Sequence, residues 1–210
     1  MPRSVPFLVL LILLPLTLHA QFPIAAPQKR PASGIQRSPV VATSGEDFLA
    51  AWEDGRAYQY GAFTNWIGHE SDIYATRIAL DGTAFSDGGV PVNPSASYER
   101  HPAVLWNGSQ YVAIHDVQPQ SAGGEGGGVA FTKIFPDRLS GKRVLPVSFG
   151  SVGRLKAAWN GSRYLVVRET FTAVDARVKG FLVSADLELA SAEFEVAAPW
   201  SNNPDVASDG

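Results

Sequence analysis

Apolar and polar positions along this chain recur in blocks. Three stretches align without gaps: Pro39 to Glu53, Pro102 to Asp116 and Leu155 to Glu169. Each opens on a short apolar run, breaks at a glycine, and continues as an aromatic-led apolar run: Phe48 to Trp52, Tyr111 to Ile114 or Tyr164 to Val167. Runs this short, bounded by turn residues and rich in β-branched and aromatic side chains, predict strands buried on both faces. A third strand follows near Ile73 to Ile78, Val129 to Ile134 and Val178 to Val183. A short fourth follows near Val90 to Val92, Val144 to Val147 and Phe194 to Val196. Nothing in the chain has the 3.6-residue period of an amphipathic helix. In two copies the turn is Asn-Gly, which predicts a type I′ hairpin.

The register glycines, 45, 108, 161 and 210, lie 63, 53 and 49 residues apart. A period near 50 with four strands per unit predicts an all-β chain of β-propeller blades. The units run from 38 to 100, 101 to 153 and 154 to 202, and a fourth starts at 203 to 210. The first copy carries Trp52-Glu53-Asp54-Gly55-Arg56, then Asp72-Ile73-Tyr74-Ala75-Thr76-Arg77-Ile78, then Asp81-Gly82. This pattern resembles the blade repeat of secreted bacterial β-propeller proteins, a mostly uncharacterised family. The resemblance spans about residues 38–210. It is strongest in the first copy, because His115-Asp116-Val117 and Arg168-Glu169-Thr170 depart from the Trp-acid-Asp sequence. It implies the propeller fold and no particular activity. Three units and the start of a fourth do not close a ring, so the expectation is a piece of a longer propeller, with ring closure by several chains as the alternative.

The N-terminus changes the picture of where this array works. Arg3 is followed by an apolar run from Phe7 to Leu14, and Leu18-His19-Ala20 precedes Gln21. This is the anatomy of a secretory signal peptide over residues 1–20. The run is too short for a membrane span and Pro15 interrupts it. Residues 21–37, with Pro23, Pro27 and Pro31, predict an extended lead-in. The expected product is exported: secreted, periplasmic or at the cell surface, with no membrane span once the signal is removed. Removing residues 1–20 takes away one basic residue, Arg3, from a chain with 17 Lys+Arg and 20 Asp+Glu. That mild acidity argues against nucleic-acid binding. The chain has no cysteine, which excludes disulfides and thiolate metal sites. Its stability must therefore come from its core.

Three groups of residues could carry chemistry. Glu53, Asp116 and Glu169 share one repeat position. On a propeller they would ring the axis, where carboxylates bind a cation or a basic ligand, or cleave a glycoside. The competing reading pairs them with Arg77 and Lys133 one strand over, with Phe181 breaking the pattern in the third copy. The segment Gly55 to Ser71 holds Tyr58, Tyr60, Phe63, Trp66, His69 and Glu70. Exposed rings of this kind stack on sugars or anchor a protein partner. The run Gly123 to Gly128 lacks the lysine and helix of a phosphate loop and predicts a flexible connection. Asn107-Gly108-Ser109 and Asn160-Gly161-Ser162 match the N-glycosylation pattern but fall on the repeating turn. No His or acidic spacing predicts a metal site, no cofactor is expected, and the Asp-box of sialidase-type propellers is missing. The sequence thus favours a non-catalytic binding or scaffold module for a protein or glycan ligand. The alternatives are a carbohydrate-active hydrolase or lyase using the axial acids, and an adhesion module of a larger surface protein.

Overall fold

The computed structural model describes residues 34–56, 71–92, 97–118, 127–135, 139, 141–147, 151–172, 174–197 and 199–209. Among them are twelve strands and no helix. The strands form three four-stranded antiparallel sheets, each an open meander. The first sheet is β1 (Gln36–Thr43), β2 (Asp47–Asp54), β3 (Asp72–Ala79) and β4 (Val90–Pro91). The second is β5 (Tyr98–Trp106), β6 (Tyr111–Gln118), β7 (Gly128–Ile134) and β8 (Arg143–Leu145). The third is β9 (Ser151–Trp159), β10 (Arg163–Thr172), β11 (Asp175–Ser184) and β12 (Phe194–Ala197). The expected four-strand unit is therefore present three times. The first strands start before the residues that open the aligned stretches, Pro39, Pro102 and Leu155, at Gln36, Tyr98 and Ser151.

The sheets stack face to face, with β1 beside β5 and β5 beside β9. Side chains alternate along each strand, so the middle sheet sends one set each way. Val104, Tyr111, Ala113 and Ile134 pack on Leu49, Ala51, Ile73, Ala75 and Val92 of the first sheet. Val112, Ile114, Val129, Phe131 and Leu145 pack on Leu155, Tyr164, Val166, Phe181 and Val183 of the third. This explains the apolar run Tyr111 to Ile114 in β6, where residues 111–117 are all buried, polar His115 and Asp116 included. Burying each large side chain contributes about 2 kcal/mol.

The turns differ from the expected type I′ hairpin. Gly108 and Gly161 take φ of +93° and +88°, but the asparagines before them do not have positive φ. Instead the connection is longer, and the Asn107 amide donates to the Gln110 carbonyl at 3.2 Å. Asn107 Oδ1 accepts from the amides of Ser109 and Gln110 at 3.1 and 3.0 Å. Asn160 Oδ1 does the same for Ser162 and Arg163 at 3.1 and 2.8 Å. Asparagine is selected here as a side-chain acceptor rather than for its tolerance of positive φ. Ser44 fills the role in the first copy, its Oγ accepting from Glu46 and Asp47 at 3.1 Å each.

Each first strand also carries a register irregularity: Arg37/Val40 in β1, Arg100/Ala103 in β5, and opposite Arg168/Thr170 in β9. Ser38, His101 and Asn203 each take φ of +54°, and each precedes a proline. Residues before proline normally stay extended, so this conformation is held by its surroundings. Arg154, which precedes Leu155 instead, is not left-handed.

Candidate functional site

The second strands end where the first strands begin, and the three repeat-position acids meet the irregularities there. Glu53 is buried. Its Oε2 accepts from Arg37 Nε at 2.6 Å and its Oε1 from the His101 amide of the next sheet at 2.9 Å. Glu169 accepts from the Arg154 amide at 3.0 Å and from the Asn203 amide. The left-handed turn at His101 and Asn203 thus accompanies an N–H directed back at the acid of the preceding sheet. Burial acts to raise the Glu53 carboxyl, but the His101 amide and Arg37 together outweigh it and hold the group below its ordinary range.

Asp116 is the exception. It is 1 % exposed, and its Oδ1 has no hydrogen-bond partner. Its Oδ2 lies 3.2 Å from His101 Nδ1. Burial pushes its carboxyl up, only partly offset by His101 and Arg168. An aspartate is one methylene shorter than the glutamates at this position, and the amide that would match it, that of Arg154, donates to Glu169 instead.

The predicted pairing of these acids with Arg77 and Lys133 is not what the structure holds. Arg77 binds Asp47, and Glu53 binds Arg37. The strand register also places Leu182, not Phe181, at the position of Arg77: Leu49 faces Arg77, Val112 faces Lys133 and Leu165 faces Leu182. The acids occupy equivalent places as expected, but both oxygens of the two glutamates are engaged and Asp116 is shut from solvent. That arrangement is poor for general acid–base work on a substrate, which needs a carboxyl within reach of the reacting atom.

At the opposite ends of the strands a tyrosine ties each sheet to the one before it. Tyr111 Oη accepts from the Ser44 amide and contacts the Asp47 carbonyl, both at 2.8 Å. Tyr164 Oη accepts from Asn107 Nδ2 at 2.7 Å. Phe48 stands at this position in the first copy.

A cluster that the sequence did not single out lies where the first and second sheets meet near the acids. Glu99 and His115 are fully buried, and His115 Nε2 is 3.5 Å from Glu99 Oε2. Lys142 Nζ is 3.9 Å from Glu99 Oε1, and the Ile73 amide donates to Glu99 Oε2 at 3.3 Å. Asp72 is also buried, and its Oδ1 has no hydrogen-bond partner. Burial first, then the charges of Glu99 and Asp54, raise its carboxyl to about 6, against the pull of His115 and Lys142. No sequence signal marks this group, because its members are brought together only by sheet stacking.

Tyr58, Tyr60, Phe63, Trp66, His69 and Glu70 lie outside the described residues, as does most of the glycine run. The described part of the chain between β2 and β3 leaves and rejoins at the acid end. Among the described residues no group of three His, Asp or Glu side chains could hold a metal ion. Among the described residues no helix is long and apolar enough to cross a membrane. A cleft of about 330 Å³ is lined by Leu49, Phe85, Val90, Ile134 and Leu139, with Arg77 at its edge. Its only charged side chain is held by Asp47. No family model, curated protein or solved structure matches the chain.

Proposed function

We propose that the three sheets are consecutive blades of an exported β-propeller that serves as a non-catalytic binding or scaffold module. The single observation that supports this reading is the engagement of the repeat-position acids. Glu53 holds a backbone amide of the next sheet and Glu169 one of the chain that follows β12, so they act as structural ties rather than as reagents. Side-by-side first strands, tied in sequence from one meander to the next, suit blades arranged about an axis. A rigid stack of this kind leaves recognition to its connections. These differ most between β2 and β3 (residues 55–71), β6 and β7 (119–127) and β10 and β11 (173–174). Tyr58, Tyr60, Trp66 and His69 on the first of these are the proposed contact residues for a glycan or protein ligand.

The test is a panel of soluble bacterial and plant polysaccharides bound to the mature chain, read by calorimetry. Replacing Tyr58, Tyr60 and Trp66 with alanine together should weaken any binding at least tenfold, while the unfolding transition is unchanged. Binding that survives the triple replacement would remove this segment from the site. Release of reducing ends that disappears in Glu53→Gln would overturn the non-catalytic reading.

A further inference from the structure

The meeting point of the first and second sheets gathers three buried acids, Asp54, Asp72 and Glu99, and Asp72 among them has a carboxylate oxygen without a hydrogen-bond partner. Asp54 is neutralised by Arg56, whose Nη2 lies 2.5 Å from Oδ2, and it also accepts from Trp52 Nε1 at 2.8 Å. Glu99 has Lys142, His115 and the Ile73 amide. Asp72 faces Asp54 across the β2–β3 pair and is repelled by Glu99, and its Oδ1 has no hydrogen-bond partner. Tyr74, under the Arg56 guanidinium at 4.2 Å, is also in electrostatic contact with this acid. The same place carries the seam's backbone bonds. The Glu99 amide donates to the Ser71 carbonyl at 2.8 Å, Ser71 Oγ donates to the Glu99 carbonyl at 2.7 Å, and the Val92 amide donates to the Ile73 carbonyl at 2.7 Å.

We propose that Asp72 is a proton-operated latch on the seam between the first and second sheets. Protonated, it is neutral beside two carboxylates, and the seam stays shut. Ionised, it adds a third negative charge beside Asp54, which Arg56 already holds, and Glu99, which Lys142 and His115 approach, and like charges in a low-dielectric site repel strongly. The strain falls on the Ser71–Glu99 and Ile73–Glu99 bonds, which open locally while the apolar stack below remains closed. The direction follows from the raised carboxyl: the folded state keeps a proton that the unfolded chain releases, so seam stability is lost as pH rises through about 6. The latch acts whether or not residues 55–71 bind a ligand.

Amide exchange at Ile73 and Glu99, normalised to the intrinsic rate at each pH, reads the seam directly. Between pH 5 and 8 their protection should fall at least tenfold, while that of Val166 and Phe181 in the third sheet stays constant. In Asp72→Asn, which mimics the protonated acid, protection at Ile73 and Glu99 should stay high throughout. Glu99→Gln, which removes one repelling charge, should flatten the slope. Flat protection in the natural chain, a parallel fall at Val166 and Phe181, or an unchanged slope in either variant would overturn the proposal.

Discussion

At the seam between the first and second sheets, Glu53 reaches the His101 amide and Tyr111 holds the Ser44–Asp47 turn. At the seam between the second and third, Asp116 stops at the His101 ring and Tyr164 takes one bond from Asn107. The cores differ in the opposite sense. Alanines 51, 75 and 113 thin the first, whereas Phe131, Phe181, Ile114 and Leu155 fill the second. One seam is tied by polar groups at both ends over a light core, the other by bulk hydrocarbon with a loose polar end. Equivalent sequence positions therefore do not imply equivalent energetics: a lost methylene at 116 is tolerated where packing is heavy.

Three measurements sharpen or break this contrast. Phe131→Ala should have the largest effect, about 4 kcal/mol lost in denaturant unfolding, because it empties the heavier core. A loss below about 1 kcal/mol would mean that this core is not what holds the second seam. Glu53→Gln should cost about 2 kcal/mol at pH 7, since it removes a charge-assisted tie and the Arg37 pair. Its carboxyl is held below the ordinary value in the fold, so its contribution is present above the unfolded value and disappears as pH falls through the folded one. The deficit of the variant should shrink in acid. Asp116→Asn should have the smallest effect and the opposite sign, a gain in stability near pH 8. Burial raises this carboxyl, so the natural chain loses stability as pH climbs through the raised value, and the amide cannot. If the Asn variant is instead the less stable one at pH 8, Asp116 has a partner that the geometry does not supply.

Much of the fold was legible in the chain. Aromatic-led runs after Gly45, Gly108 and Gly161 marked second strands, and the double-sided burial at the start of β6 followed from the unbroken apolar run Tyr111 to Ile114. The turn chemistry was half legible: Asn107 and Asn160 signalled a turn, but their role as acceptors depends on loop length, which Asn-Gly alone does not set. The acids were recognisable as a set, yet their partners were not. Those partners are mainly the main-chain amides of His101 and Asn203, and an amide has no letter of its own. The residue-before-proline positions 38, 101 and 203 were the available clue, since an unusual backbone there requires a reason. The cluster of Asp72, Glu99, His115 and Lys142 was illegible, because sequence separation hides what stacking brings together.

The ties between sheets also have a direction along the chain. His101 and Tyr111 complete groups laid down earlier, at Glu53 and at residues 44–47, and Tyr164 and Asn203 do the same for Asn107 and Glu169. A newly made meander is thus finished by the chain synthesised after it. Folding during synthesis can proceed as a ratchet, each emerging unit locking its predecessor, with meander pairing kept local and fast. The growing end is always the least secured part of the molecule, and unravelling under load would begin there.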